Sequence, residues 1–418
     1  MYTYGRMAAT EGTVIFEYRP TPTAAVGVWV ESGSGHEHQG QAGSTHLLEH
    51  LLLRRCGSRS PQAIAELIDT LGGDVNAYTT KEACAVVAHV PASRKQEALE
   101  LVLDAVFRPT FNEADVELEK KVVAAEFELY RDSPTETAAE KALLACWGDH
   151  PLARPILGVP QVVETLSWED LVRFHRSRFG RQRAVLVAVG PWEEESLRSR
   201  LAVEPEALDG ESSIPEAVFT PHLSVEERSG LEQVYVHLVF PGLPAASPKL
   251  PVLEVLNQLL GGGNASRLFR TLRDELGLVY EVSSGLLATE KAGLLEVSFS
   301  APVPRAERAW AALLEVLEEV ASGGISQREV DLAKQALISA MVLGTSSPDV
   351  LMEAHAGEFL QLGRRFSLPQ AEREVAQVER EQVRTMAREV LSLAQLAGAV
   401  CGPPGGVVIP AQLARRVA

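Results

Sequence analysis

Residues 43–60 read GSTHLLEHLLLRRCGSRS, and the five residues His46-Leu47-Leu48-Glu49-His50 govern the rest of the reading. The apolar spacing predicts a helix over Ser44–Leu53. At about 100° per residue, His46 and His50 stand about 40° apart, so both imidazoles leave one face one turn apart. Glu49 falls about 60° to the other side of His46, where it can reach a metal-bound water without being a ligand. Two neutral imidazoles and one carboxylate hold zinc with a position open for water. The cation lowers the pKa of that water, and the nearby carboxylate takes its proton as a carbonyl is attacked. The order His-x-x-Glu-His is the inverted form of a zinc-peptidase pattern. The plainer alternative is a buried helix with two ordinary histidines, since Leu51–Leu53 extend the apolar run.

A third ligand is required. The helical pattern Glu113–Tyr130 opens at Asn112 with acids in its first turn. It carries Glu119 and Glu126 seven residues apart, hence on one face. Glu126 lies in the apolar run VVAAEFELY, where an unpaired carboxylate is costly to bury and a metal resolves the cost. A solvated helix face rich in acids is the competing explanation.

The surrounding chain has 418 residues, a length consistent with two or three domains. Lys and Arg number 39 against 56 Asp and Glu, a formal charge of −17, which argues against nucleic acid as a partner. The N-terminal Met-Tyr-Thr-Tyr-Gly-Arg has no secretory pattern, and no apolar run approaches a membrane span. Cys56, Cys84, Cys146 and Cys401 form no Cys-x-x-Cys unit and read as core residues in a reducing compartment. A cytoplasmic protein without membrane contact is expected.

The chain repeats its grammar. A strand (Ala24–Glu31), two helices, a Gly-Gly turn, a strand pair (Asp74–Thr79, Ala83–Val90), two long helices, a further helix and a strand (Ala184–Val189) make up the first half. The second half follows the same order from Gln233–Phe240 to Ala397–Cys401, with a helix at Ser266–Leu276 and a strand at Val279–Leu287. The fold class expected is α+β: two homologous, sandwich-like halves with mixed or antiparallel sheets covered by helices. The halves span 1–205 and 231–418, with residues 206–230, rich in Pro, Glu and Ser, as a linker.

Three stretches carry a family resemblance: GSTHLLEHLLLRRCGSRS, GGDVNAYTTKE (72–82) and ELEKKVVAAEFELYRDSP (117–134). Together they resemble the pitrilysin/insulinase family, most closely its bacterial members near mitochondrial processing peptidase. The resemblance implies a zinc endopeptidase with one Zn2+ per chain, held by His46, His50 and Glu126. Glu49 is then the general base, and Glu119 orients the site. SRLFRTLRDELGLVYEVSSG (266–285) resembles the family's second pattern, which implies that Arg273 and Tyr280 bind the substrate carbonyl and stabilise the oxyanion. The strand holding Asn76, Ala77 and Tyr78 is implied as an edge to which an extended peptide adds. The implied substrates are short or unstructured polypeptides, and the implied assembly is two clamshell halves in a homodimer. A heterodimer with a metal-free paralogue, a non-catalytic scaffold and a maturation factor for one precursor are the other expectations.

Aligning Pro134 with Pro348 puts Ala333 and Ala340 where Glu119 and Glu126 stand, so no zinc is expected in the second half. His36 and His38 form a possible rival ligand pair in the loop before the motif, although a solvated loop suffices for them. Leu47, Ala125 and Arg55-Cys56 depart from residues common in relatives, which bears on substrate preference more than on chemistry.

Overall fold

The computed structural model describes residues 13–201 and 213–416. It contains two five-stranded sheets of identical plan. The first comprises β1 (Thr13–Tyr18), β2 (Thr23–Val30), β3 (Asp74–Thr79), β4 (Cys84–Pro91) and β5 (Ala184–Gly190), in the order β1-β5-β2-β4-β3. The second comprises β6 (Leu223–Glu227), β7 (Gln233–Pro241), β8 (Val282–Ala288), β9 (Gly293–Pro302) and β10 (Ala397–Gly402), in the order β6-β10-β7-β9-β8. In both, the first strand pairs parallel to the last, and the remaining neighbours pair antiparallel. Two mixed sheets with the same permuted strand order are what a duplicated α/β unit produces.

Strand β2 shows how the first sheet is covered on both faces. Its alternate residues Ala24, Val26, Val28 and Val30 pack with Leu48 and Leu52 of the helix Ser44–Leu52 and with Leu99 and Val102 of the helix Lys95–Phe107. The intervening Ala25 and Trp29 pack with Leu351, Met352 and Ala356 of the helix Pro348–Leu362. Side chains of successive strand residues point to opposite faces, so an unbroken apolar run is required where both faces are dry. The second sheet repeats this: Val234, Val236, Leu238 and Phe240 face a core that includes the helices Leu250–Leu260, Val303–Ala321 and Arg380–Val390. The helix Pro134–Trp147 packs on β7 and β10.

The compact units are interleaved along the chain rather than contiguous spans such as 1–205 and 231–418. One comprises Met1–Glu128, Arg154–Ile214 and Leu343–Phe366; the other comprises Leu129–Ala153, Pro215–Val342 and Ser367–Ala418. The cause is a reciprocal helix exchange. After the long helix Glu113–Asp132, Ser133 accepts the Glu136 amide as an N-cap, Pro134 takes the first helical turn, and the new helix joins the second unit. The sequence Ser347-Pro348 also restarts a helix after Gln327–Gly344, with Pro348 in the first turn and the Ser347 hydroxyl donating to Asp349 rather than accepting an amide, and that helix joins the first unit.

Three expectations are corrected. The span 206–230 contains β6, a short strand paired parallel to β10; residues 206–212 lie outside the described residues, as does the N-terminal hexapeptide. The predicted helix 266–276 widens into a π-type segment over Phe269–Glu275, with the Leu276 amide reaching the Thr271 carbonyl. Strand β8 starts at Val282, which leaves Tyr280 in the connecting segment. Among the described residues, no helix is long and apolar enough to cross a membrane.

The exchanged helix supplies a stability test. Leu351 is 2% exposed against the first sheet and Val350 is 43% exposed. Leu351→Ala is expected to cost about 2–5 kcal/mol in urea unfolding, and Val350→Ala less than about 0.5 kcal/mol. Equal midpoints for the two variants would contradict this packing.

Candidate metal centre

The motif helix Ser44–Leu52 buries Leu47, Leu48, Leu51 and Leu52, which leaves His46, Glu49 and His50 on its less buried side. The long helix Glu113–Asp132 buries Val116, Glu119 and Val123, and shares the cluster of Val116 and Val123 with Leu47 and Leu51. The two helices therefore meet through an apolar seam whose edge carries the ionisable groups. There, His46, His50 and Glu126 bring their ligand atoms within 4.8 Å of one another. Glu126 Oε2 lies 3.6 Å from His46 Nε2 and 3.5 Å from His50 Nε2. The rings of His46 and His50 meet edge-on with centroids 4.8 Å apart.

These separations suit a cation better than a hydrogen bond. Bonds of about 2.0–2.2 Å in a tetrahedron put ligand atoms about 3.4 Å apart, whereas a strong hydrogen bond would draw them below about 3.2 Å. The donor set, two imidazole nitrogens and one carboxylate oxygen, is one that zinc accepts with a position to spare. Burial and the neighbouring His50 hold His46 down at about 4, so its ring is a neutral donor across the physiological range.

His50 is oriented from behind. Its Nδ1 lies 3.2 Å from Glu119 Oε2, which favours the tautomer with the proton on Nδ1 and leaves the Nε2 lone pair, 3.5 Å from Glu126 Oε2, available to a cation. Glu119 is in turn paired with Arg54 Nη1 at 3.0 Å, and Arg54 and Arg55 both bind Asp115. Asn112 Nδ2 donates to Asp115 Oδ2, and Asn112 Oδ1 accepts the Asp115 amide. A relay from helix cap to imidazole results.

Glu49 is half-buried and accepts a hydrogen bond from Thr79 Oγ1 at 2.9 Å. Burial pushes its carboxyl up to about 7; the Thr79 hydroxyl and His50 pull down, and Glu126 pushes up. A carboxylate titrating near neutrality is what a general base requires.

Other expected residues fall as follows. Strand β3 is, with β1, one of the two edge strands of the first sheet among the described residues. On it Asn76 is exposed and its Oδ1 accepts the Ala77 amide at 3.0 Å. Tyr78 faces away from Glu49: its hydroxyl receives Trp29 Nε1 and donates to Glu353 Oε2 at 2.5 Å, on the side of the exchanged helix. Burial and Glu353 raise its phenol. Arg273 and Tyr280 belong to the second unit, where the Arg273 guanidinium stacks between the rings of Phe269 and Tyr280, 4.5 and 5.2 Å from their centroids. Tyr280 is 73% exposed. His36 accepts the Gly33 amide through Nδ1, and His38 is exposed; neither joins the metal-capable group.

Sequence reasoning missed Thr79, Arg54 and Asp115. Arg54 lies in the turn beyond the motif helix, where no helical spacing applies, whereas Asp115 stands four residues before Glu119 on one helix, a spacing that puts the two on the same side and was a usable signal. Thr79 had none, because strand register and helix position together bring it to Glu49.

Comparison with known proteins gives a consistent picture. The family profile described as "Insulinase (Peptidase family M16)" matches residues 13–159, and "Peptidase M16 inactive domain" matches residues 165–337. A Mycobacterium tuberculosis protein named an uncharacterised zinc protease is 34% identical over 97% of this chain and 94% of its own length. The uncharacterised zinc protease YmxG of Bacillus subtilis is 28% identical over 91% of this chain and 93% of its own. Among solved structures, a protease from Helicobacter pylori superposes with a TM-score of 0.87 at 19% identity, covering 94% of this chain and 98% of that one. A Pseudomonas fluorescens structure titled as a peptidase M16 inactive domain gives 0.86 at 21% identity, covering 94% and 96%. Likeness along the full length, in sequence and in the duplicated sheets alike, places this chain in the insulinase family of peptidases, family M16.

Proposed function

We propose that the protein is a zinc endopeptidase that hydrolyses peptide bonds in short or unstructured polypeptides. The observation that carries this reading is the convergence of His46, His50 and Glu126 beside a carboxylate, Glu49, held near neutral pKa. Zinc bound there supplies the Lewis acidity that activates water and polarises the scissile carbonyl. Glu49 accepts the proton from water and delivers it to the leaving amine. Thr79 keeps that carboxylate aimed, and Glu119 keeps the His50 ring aimed. The open edge of β3 is the expected seat for an extended substrate. It would be read through main-chain groups, since the Tyr78 side chain is committed elsewhere. Arg273 and Tyr280 are assigned to the oxyanion by resemblance, and the guanidinium–phenol stack gives that pair a defined geometry of its own.

The words "inactive domain" attach to residues 165–337, whereas every zinc-ligating candidate lies within 13–159. They therefore describe the half in which Ala333 and Ala340 stand at the glutamate positions. A non-catalytic scaffold, or one subunit of a heterodimeric processing complex, is the second reading. A homodimer in the cytoplasm is the assembly and place we infer from the resemblance and the sequence.

The decisive comparison is wild type against Glu49→Gln, by metal analysis and cleavage of an unstructured peptide. The amide oxygen introduced by the substitution can still accept from Thr79, so zinc content is expected to stay near one per chain while the rate falls about 10²–10⁴-fold. A variant that cuts as fast as wild type would sink the mechanism, and a wild type without zinc or activity would favour the scaffold.

A second test uses pH. Glu49 must be ionised, so kcat/KM is expected to fall as pH drops through an acid limb at or below about 7, the bound cation lowering it further. Thr79 donates to the charged form, so Thr79→Val is expected to move that limb to higher pH. An unmoved limb would remove Thr79 from the mechanism.

A third concerns the second unit. Arg273→Ala and Tyr280→Phe are each expected to lower kcat about 10²–10³-fold with zinc content unchanged; wild-type kcat in both would refute their assignment.

A further inference from the structure

The two histidines of the motif are supported unequally. His50 has Glu119, Arg54 and Asp115 behind it. His46 has no such relay: its Nδ1 is buried and meets no hydrogen-bond partner among the described residues. The aim of the His46 ring is therefore set by packing and by where the helix backbone places its Cα.

That backbone begins unusually. The residue before the helix is Gly43, with φ 100° and no side chain to cap the first turn. The glycine is required: a Cβ there would lie 2.6 Å from both the Leu157 carbonyl oxygen and a Val163 methyl. The first amides of the helix are thus left without a local partner, which a buried helix end cannot sustain. Glu37, six residues upstream, supplies it. Its Oε2 accepts the Gly43 amide at 2.8 Å and its Oε1 accepts the Thr45 amide at 2.6 Å. Glu37 is itself 4% exposed. Its segment is tied down by two cations, Arg154 Nη1 donating to the Glu37 carbonyl at 2.9 Å and Arg178 Nη2 to the His36 carbonyl at 3.3 Å.

We propose that Glu37 is a positioning residue for the metal centre: its carboxylate, gripping the Gly43 and Thr45 amides, sets the height and rotation of the helix turn that aims His46. This rests on the zinc-peptidase reading of the same site. A carboxylate buried this deeply is an expensive way to cap a helix, and burial pushes it up to about 7 against the pull of the two amides. Its placement immediately before a ligand that lacks a side-chain partner gives the expense a use. Metal-site supports of this kind typically change affinity about 10–100-fold when removed.

The test is Glu37→Gln in the full chain. The substitution keeps the shape but turns one acceptor into an NH2 group facing an amide N–H. The measurements are zinc affinity of the folded apoprotein against a chelating dye, the visible spectrum of the cobalt(II)-loaded protein, and kcat and KM separately. Expected are zinc binding weakened about 10-fold or more, shifted cobalt bands, and a fall in kcat with KM little changed. A folded variant with wild-type zinc affinity and wild-type cobalt bands would overturn the proposal, whatever its melting temperature, because a merely structural cap would move only the latter. If Glu37→Gln does not fold, Arg154→Gln decides, since it loosens the same loop from farther away. A smaller loss of zinc affinity in it supports the proposal, and an unchanged affinity overturns it. A wild-type chain that fails to take up zinc would instead overturn the peptidase reading beneath it.

Discussion

The site is organised by the cost of gathering anionic groups where water is scarce. Four carboxylates, those of Glu49, Asp115, Glu119 and Glu126, lie around two helices, and the guanidiniums that answer them, Arg54 and Arg55, reach only Asp115 and Glu119. Among the described residues Glu126 is paired with two imidazoles, one of which burial keeps neutral. Negative charge left over at one point, beside two nitrogen donors, is an arrangement that a divalent cation relieves. The raised carboxyl of Glu49 has the same origin: burial pushes it up to about 7, and the nearby Glu126 adds to the push.

Duplication explains why this chemistry can sit on one half while the other shares its frame. Both sheets have the order first, fifth, second, fourth, third, and both long helices are followed by a Ser-Pro break and an exchanged helix. At the two positions equivalent to Glu119 and Glu126, the second helix carries Ala333 and Ala340, which offer no donor. The frame is maintained by apolar burial, which tolerates such replacement, whereas the chemistry depends on side chains that duplication does not protect. The exchange also ties each unit's core to the other half of the sequence: Glu17, on β1, accepts from His355 of the exchanged helix at 3.0 Å, 338 residues away in sequence.

Much of this was legible from residue patterns, for definite reasons. Strands β2 and β5 are dry on both faces, so their apolar runs are unbroken and conspicuous. His46, Glu49 and His50 are fixed relative to one another by helical geometry alone, and Glu119 and Glu126 likewise. The illegible parts are those where a long-range partner decides. One exchanged helix buries Ala138, Ala142 and Ala145, whose small side chains make a weak apolar signal, and the other buries the polar His355 beside Leu351, Met352 and Ala356. Strand β6 has five residues with only Leu223 fully buried, and exists because β10 offers it an edge. Thr79 and Glu37 act across turns and strand registers that no local period encodes.

Each ionisable residue of the motif is anchored to a different part of the fold. His50 is anchored to the long helix through Glu119, Glu49 to the sheet edge through Thr79, and His46 to the preceding loop through the backbone that Glu37 holds. One rigid helix sets the spacing among the three, so the three anchors have only to fix the helix as a body, by its start, its exposed face and its neighbour. A displacement at any anchor then misaims all three side chains together, and the proposed metal site, whose ligands would need placing to within about 0.5 Å, gains precision from that coupling. The coupling also ties Glu49 to substrate. Thr79, which hydrogen-bonds the Glu49 carboxylate, lies on the same short strand whose edge is the proposed seat of an extended peptide, so under that proposal a seated peptide bears on the residue that holds Glu49.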